Sequence, residues 1–221
     1  GAFAGHPLGN IIIAGLSEMQ GSTYNAMQLL SKFFHTTGKI YPSSDHPLTL
    51  HAVFKDGTEV AGESHIADHP GMIDYVYVSN TFDDEKPQAS RRVVNTILES
   101  DMIVLGPGSL FTSILPNIVI EEIGQALLET KAEVAYVCNI MTQRGETERF
   151  TDSDHVEVLQ RHLGRPFIDT VLVNIEKVPR DYMDTNLFDE YLVQVEHDFA
   201  GLCKQVPRVI SSNFLRLENG G

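Results

Sequence analysis

The sequence is poor in basic residues and has no long apolar run. Lysine and arginine number 16 against 30 aspartates and glutamates, which gives a formal net charge of −14. Such a charge weighs against nucleic acid or an anionic membrane as the main partner. No run of 18 apolar residues occurs, and Ile11–Ala14 is too short for the core of a signal peptide. We therefore expect neither a nucleic-acid nor a membrane partner.

Cysteine is also scarce. Cys138 and Cys203 show neither metal-binding spacing nor a disulfide framework, which favours a reducing cytoplasm. His65, Asp68 and His69 lie close together, but they supply one carboxylate and no third ligand at a suitable distance. We therefore expect no metal site there.

The most informative stretch is GPGSLFTSILPN, Gly106–Asn117. It follows Asp101–Leu105, an apolar run typical of a buried parallel strand, and precedes Ile118–Leu128, which is apolar at helical spacing. Glycines let the backbone approach a ligand, and free amides at a helix start favour an anion. The stretch indicates a phosphate or pyrophosphate cradle. An ordinary strand-to-helix turn is the alternative, because neither G-x-G-x-x-G nor a Walker A loop is present.

The rest of the chain predicts an α/β fold. Strand, turn and helix alternate at least three times after residue 85, which argues for a mostly parallel sheet. We predict helices over 24–34, 87–99 and 154–163 (the last capped by Asp152 or Ser153), a short helix over 179–191, strands over 132–138 and 168–173, and weaker strands over 192–195 and 209–211.

An antiparallel excursion precedes this region. Leu48–Phe54 alternates as a half-buried strand, and Asp56-Gly57 is a strong hairpin signal. Ile73–Val78 is predicted as a further strand with Ile73, Tyr75 and Tyr77 on one face.

Two other polar segments are candidates for a ligand site. The loop Asn139–Thr147 follows a predicted strand and, in a parallel sheet, emerges at the same edge as the glycine turn. His6 and Asn10 lie where a helix N-terminus opens toward a cleft. The alternatives are a solvated loop, an exposed histidine and a capping asparagine.

Six motifs occur in a specific order: GHPLGN, GES, DMIVLGPGSLFTSILPN, YVCNIMTQRGET, DHV and TVLVN. With them the sequence resembles, over nearly its whole length, the gluconeogenesis-factor branch of the 2-phospho-L-lactate transferase superfamily. The resemblance implies a Rossmann-like three-layer domain with a mostly parallel sheet and an antiparallel β-hairpin excursion. It also implies that residues 1–221 form one such domain in a cytoplasmic bacterial protein.

The resemblance carries functional expectations as well. Members of this branch bind nucleotide sugars of the uridine-diphosphate N-acetylglucosamine type and are associated with gluconeogenic growth and cell shape. The transferase branch moves a phospholactyl group from a nucleotide-diphosphate carrier to a deazaflavin, with a magnesium ion. By match, the diphosphate contacts fall on Gly106, Gly108, Ser109 and Thr112. His6 and Asn10 face the same cleft, Asn139, Thr142 and Gln143 line its other side, and Tyr191 is a further candidate.

The sequence departs from the family pattern at both ends. It lacks the family's N-terminal strand with its GGGTG turn, the paired aspartates that hold the metal, and the C-terminal helix. We expect the chain to be part of a longer protein. We assign no catalytic residue, although His6 and His155 are acid–base candidates with plain structural alternatives.

Two functions therefore stay open. We favour a regulatory protein that binds a nucleotide sugar and forms a homo-oligomer. For this function we assign no cofactor. The alternative is a transferase of substituted phosphate groups, for which magnesium would be required. Asp83-Asp84 is a carboxylate pair, but it is far in sequence from the glycine turn.

Overall fold

The computed structural model describes residues 8–179 and 193–216, with backbone alone for residues 8–10. The predicted helix over 179–191 therefore lies almost wholly outside the described residues. Two sheets and the helices after residue 60 share one apolar core, to which the two N-terminal helices contribute no described residue. In chain order the elements are α1 (Leu8–Gln20), α2 (Thr23–Phe33), β1 (Leu48–Phe54), β2 (Glu59–Ala61), α3 (Glu63–Asp68), β3 (Ile73–Asn80), α4 (Arg91–Glu99), β4 (Met102–Leu105), a π-helical turn (Leu110–Ile114), α5 (Leu115–Ile118), α6 (Glu121–Glu129), β5 (Glu133–Val137), α7 (Asp152–Leu163), β6 (Thr170–Asn174), α8 (Phe199–Gln205) and β7 (Arg208–Ser212).

The larger sheet is parallel throughout, as predicted. Its strand order is β4-β5-β6-β7, so strands that follow one another in the chain are neighbours in the sheet. All four carboxyl ends consequently lie at one edge, where an open α/β sheet binds its ligands. β4 is an edge strand, and Met102 and Val104 are 57% and 55% exposed. The expectation of a buried strand was wrong there, because within the described residues only β5 pairs with β4.

The smaller sheet is antiparallel, with the order β2-β1-β3. Gly57 has φ +87° in the predicted hairpin turn, a conformation that favours glycine. The predicted common face of β3 was wrong. Val53 pairs with Tyr75 and Phe54 with Ile73, so Asp74 is an extra residue on β3. This irregularity buries Ile73, whereas Tyr75 is exposed.

Side chains of α7 join the two sheets. The free edge of β3 would otherwise expose its backbone groups. His162 accepts a hydrogen bond at Nε2 from the Val76 amide (3.1 Å), and Arg161 donates to the Asp74 carbonyl (2.5 Å). The shared core beneath includes Phe54, Ile66 and Val76 from the smaller sheet with its helix, and Leu110, Tyr136 and Leu159 from the larger one.

Two helix starts differ from the prediction. α4 begins at Arg91 rather than Pro87, because Ser90 is extended and its amide donates to the Ser43 carbonyl at 2.8 Å. α7 is capped by Thr151, whose hydroxyl accepts from the Asp154 amide (3.1 Å) while the Asp154 carboxylate accepts from the Thr151 amide (2.8 Å). This is a capping box.

Asp152, expected as a helix cap, is instead a buried anchor. It is 0% exposed. Its carboxylate accepts hydrogen bonds from His197 Nδ1 and from the Asp198 amide, both at 2.8 Å. These bonds fix the segment before α8 to the start of α7. The helices α3 and α8 were not predicted, and no helix among the described residues has the length and apolar character to cross a membrane.

Thr151→Ala should lower the free energy of unfolding by about 1 kcal/mol, because the Asp154 amide loses its acceptor. Urea denaturation measures the change. Thr151→Ser retains the oxygen and serves as the matched control. An alanine variant as stable as the parent would show that the capping box contributes nothing.

Acidification should also lower stability through His162. Its Nδ1 donates to the Val158 carbonyl (2.7 Å) while Nε2 accepts from Val76, an arrangement that needs the neutral ring. Burial, with help from Arg161, lowers the pKa of His162, and burial lowers the pKa of His155 in the same direction. The unfolded chain therefore takes up protons first as the pH falls below about 6.5, and the folded state loses stability.

The free energy of unfolding at pH 7, 6 and 5 measures this effect. His162→Gln cannot titrate and should show a shallower decline below pH 6.5 than the parent. Parallel curves for the two proteins would mean that His162 is not responsible.

Candidate functional site

One cavity of about 560 Å³ lies at the carboxyl edge of the parallel sheet. Its volume is in the range of small-molecule sites. Segments that follow β4, β5 and β7 contribute to it, together with residues of β6 itself. It is lined by Pro107, Gly108, Ser109, Val137, Cys138, Asn139, Ile140, Met141, Thr142, Gln143, Leu172, Asn174 and Phe214.

The glycine turn between β4 and the π-helical turn forms one wall of this cavity through Pro107, Gly108 and Ser109. Gly106 has φ +83°, and a Cβ there would lie 3.2 Å from both Ile114 Cδ1 and the Val137 carbonyl oxygen. The backbone conformation and the packing therefore require glycine at Gly106, which is not among the described residues that line the cavity. The Gly106–Pro107 peptide bond is cis.

The helical segment after the turn is broken into three pieces. A π-helical turn and α5 run together, and α6 starts afresh because Ile120 is extended (φ −66°, ψ 117°). The predicted single helix over 118–128 was therefore wrong at its start. The amides of Ser113 and Ile114 both donate to the Ser109 carbonyl, at 2.9 and 3.0 Å. The amides just before them belong to the first helical turn, where no acceptor within the helix exists.

Asn139 connects the loop after β5 to the glycine turn. Its Nδ2 donates to the Gly108 carbonyl (2.8 Å), and its Oδ1 accepts from the Gly108 amide (3.3 Å). One side-chain amide thus binds both polar groups of one glycine residue. Asn139 lines the cavity, but much of its hydrogen-bonding capacity holds the turn in place.

The hydroxyls at the site differ in availability. Among the described residues Ser109 Oγ has no hydrogen-bond partner, and Ser109 lines the cavity. Thr112 Oγ1 instead donates to Glu146 Oε1 at 3.3 Å, and Glu146 is buried. Thr142 Oγ1 donates to the Val193 carbonyl at 3.0 Å. Ser109 is therefore the hydroxyl best placed to meet a ligand.

The described residues that line the cavity carry no charged side chain. Burial raises the pKa of the Cys138 thiol to about 12, and the nearby Asp152 acts in the same direction. Cys138 is therefore protonated at neutral pH and is a poor nucleophile. The site offers neutral donors and acceptors rather than a reactive group.

The structure brings together five of the predicted site residues, Gly108, Ser109, Asn139, Thr142 and Gln143. Gly106 and Thr112 are not among the described residues that line the cavity, and Thr112 bonds to Glu146. Asn10 is in α1, but its side chain is outside the described part. His6 and Tyr191 fall outside the described residues altogether. His155, an acid–base candidate, is 0% exposed and donates from Nδ1 to the Thr151 carbonyl (2.7 Å).

Sequence reasoning missed Asn174, Phe214 and Glu146. Asn174 had a usable signal, because it follows a predicted strand in the same way as Asn139 does. Phe214 follows β7, which had only a weak sequence pattern. Glu146 was noticed only as part of a polar loop, and its burial depends on contacts that no local pattern predicts.

The chain belongs to the 2-phospho-L-lactate transferase CofD family, whose sequence profile matches residues 1–215. A relative from Streptococcus pneumoniae serotype 4 named "Putative gluconeogenesis factor" is 88% identical over 221 residues, which are 100% of this chain and 68% of the relative. A "Gluconeogenesis factor" from Listeria innocua is 39% identical over 220 residues, 66% of its length. Within the superfamily, the chain belongs to the gluconeogenesis-factor branch, as the motifs predicted.

A solved structure supports the fold. The crystal structure of a UPF0052 family member from Bacillus halodurans is similar with a TM-score of 0.87 and 34% identity. The match covers 99% of this chain and 69% of that protein. The mixed α/β architecture with its parallel sheet is confirmed.

Asn139→Ala should loosen the glycine turn, because both polar groups of Gly108 lose their partner. We expect a loss of about 1–3 kcal/mol in unfolding free energy and faster hydrogen exchange of the amides from Gly108 to Leu110. Hydrogen exchange read by mass spectrometry or NMR measures the local effect. Asn95→Ala, an exposed change on α4, is the control, and unchanged exchange at Gly108 in the Asn139 variant would contradict the role.

Proposed function

We propose that this cavity binds a nucleotide diphosphate sugar of the uridine-diphosphate N-acetylglucosamine type. Through this binding the protein acts as a regulator of gluconeogenic growth and cell shape. The names of the relatives support the gluconeogenic role. The chemistry of the cavity supports the ligand class.

The observation that carries the proposal is the position of Ser109. Its hydroxyl has no partner among the described residues, and Ser109 directly precedes the first helical turn, whose amides have no acceptor within the helix. Uncharged donors of this kind hold a diphosphate through hydrogen bonds, which are stronger when the acceptor is charged. Asn139 fixes the backbone that carries these donors, and Gln143 lines the same cavity.

The transferase alternative is supported less well. Magnesium prefers oxygen ligands and is bound through carboxylates together with substrate phosphates. Over residues 8–179 and 193–216, the cavity lining contains no carboxylate, and no group of three histidine, cysteine, aspartate or glutamate side chains could hold a metal. The donors of the described site therefore do not fit magnesium.

Ser109→Ala combined with Thr112→Ala should weaken binding of uridine-diphosphate N-acetylglucosamine to the full-length protein by about tenfold or more. The reason is the loss of hydrogen bonds to a charged group, each worth about 1.5–3 kcal/mol. Isothermal titration calorimetry measures the affinity. The Ser109 single variant should account for most of the loss, because Thr112 bonds to Glu146.

Thr96→Ala is the matched control. Its hydroxyl bonds to the Arg92 carbonyl within α4 and lies outside the cavity. Unchanged affinity in the double variant would contradict the proposed contact between these hydroxyls and the diphosphate. Turnover of a nucleotide-diphosphate donor that stops when magnesium is chelated would establish the transferase alternative instead.

A further inference from the structure

The cavity has a second, apolar part near the carboxyl end of β7, at the opposite end of the sheet edge from the glycine turn. The glycine turn follows β4, at one edge of the sheet, whereas Phe214 follows β7 three strands away. Neighbouring strands are about 4.8 Å apart, so the carboxyl ends of β4 and β7 are separated by about 14 Å. This span is comparable to that of an extended nucleoside diphosphate. Leu172 of β6 lines the cavity on the Phe214 side.

Phe214 is held in place but not covered. Its amide donates to Asn174 Oδ1 at 3.0 Å, and Asn174 Nδ2 donates to the Glu176 carbonyl at 2.8 Å. Asn174 is 6% exposed, whereas Phe214 is 47% exposed. Within the described residues no other aromatic ring contacts Phe214. A fixed backbone thus presents a bare aromatic ring to a cavity.

We propose that Phe214 is the stacking platform for the nucleobase of the ligand. This inference rests on the proposed function, because it assumes that the diphosphate lies at Ser109. An aromatic side chain can stack on the planar face of any base, and the interaction excludes water from both rings. Phe214 therefore contributes affinity for the nucleoside half of the ligand, and the glycine turn holds the diphosphate half.

Phe214→Ala in the full-length protein tests the inference by calorimetry. We expect affinity for uridine diphosphate to fall about tenfold or more, since base stacking is worth that much in other proteins. Binding of inorganic pyrophosphate, which has no base, should not change. Phe214→Tyr keeps the ring and should bind uridine diphosphate as the parent does. Phe82→Ala, at a position 83% exposed and outside the cavity, controls for loss of a surface ring.

A second measurement reports the contact directly. Residues 1–221 contain no tryptophan, so Phe214→Trp introduces a single one within this stretch of the protein. Its fluorescence should be quenched by uridine diphosphate and not by pyrophosphate. Phe82→Trp should respond to neither ligand.

The outcomes separate this inference from the proposed function. If the parent binds uridine diphosphate and Phe214→Ala binds it equally well, stacking is wrong and the diphosphate site survives. If only the N-acetylglucosamine conjugate is weakened, the ring contacts the sugar and the base assignment is overturned. Equal weakening of pyrophosphate would also overturn it, as a general effect on the cavity. If the parent binds neither nucleotide, the proposed function fails and the inference fails with it.

Discussion

The site depends on the two hydrogen bonds between Asn139 and Gly108. The glycine turn and the loop after β5 leave neighbouring strands, and backbone pairing ends with the strands. Beyond that point one side-chain amide joins the two segments. Without it, the turn that carries the Ser109 hydroxyl would depend for support from this loop on the hydrogen bond between Thr112 and Glu146 further along the chain. A preorganised site of this kind avoids part of the ordering cost of binding.

The order of the strands determines what can meet at this edge. Because β4 to β7 are parallel and adjacent in chain order, their carboxyl ends and the residues that follow them form one row along the same edge of the sheet. The row changes character along its length, from glycine and hydroxyl after β4 to amides after β5 and an aromatic ring after β7. The described lining of the cavity is uncharged, whereas the chain has a net charge of −14. An anion bound there must be held by nearby neutral donors against an unfavourable distant field.

Much of this arrangement could be predicted from sequence, and the failures have physical causes. Apolar runs and glycine signals located β5, β6 and the hairpin, since those depend on local pattern. The position of β4 at an edge depends on which strands pair with it. The irregularity at Asp74 depends on pairing between β1 and β3. Local sequence specifies neither.

The same distinction holds for the site. The loop that carries Asn139 and Gln143 was expected at the same edge as the glycine turn because a parallel sheet brings every strand end to one edge, and it lies there in the structure. The roles of Thr112 and Thr142 were not predictable, since their hydroxyl partners, Glu146 and Val193, are 34 and 51 residues away in the chain. Thr112 and Thr142 stabilise the frame of the cavity.

The two cysteines have opposite chemical environments. Cys138 lies in the cavity with its thiol protonated, whereas Cys203 is exposed on α8. Thiol reagents attack the thiolate, so a maleimide probe will modify Cys203 selectively and leave the cavity unmodified. A fluorophore or spin label can thus be attached to residues 1–221 at Cys203 without mutagenesis of this stretch. α8 adjoins β7, so such a label would report on the same end of the sheet as Phe214.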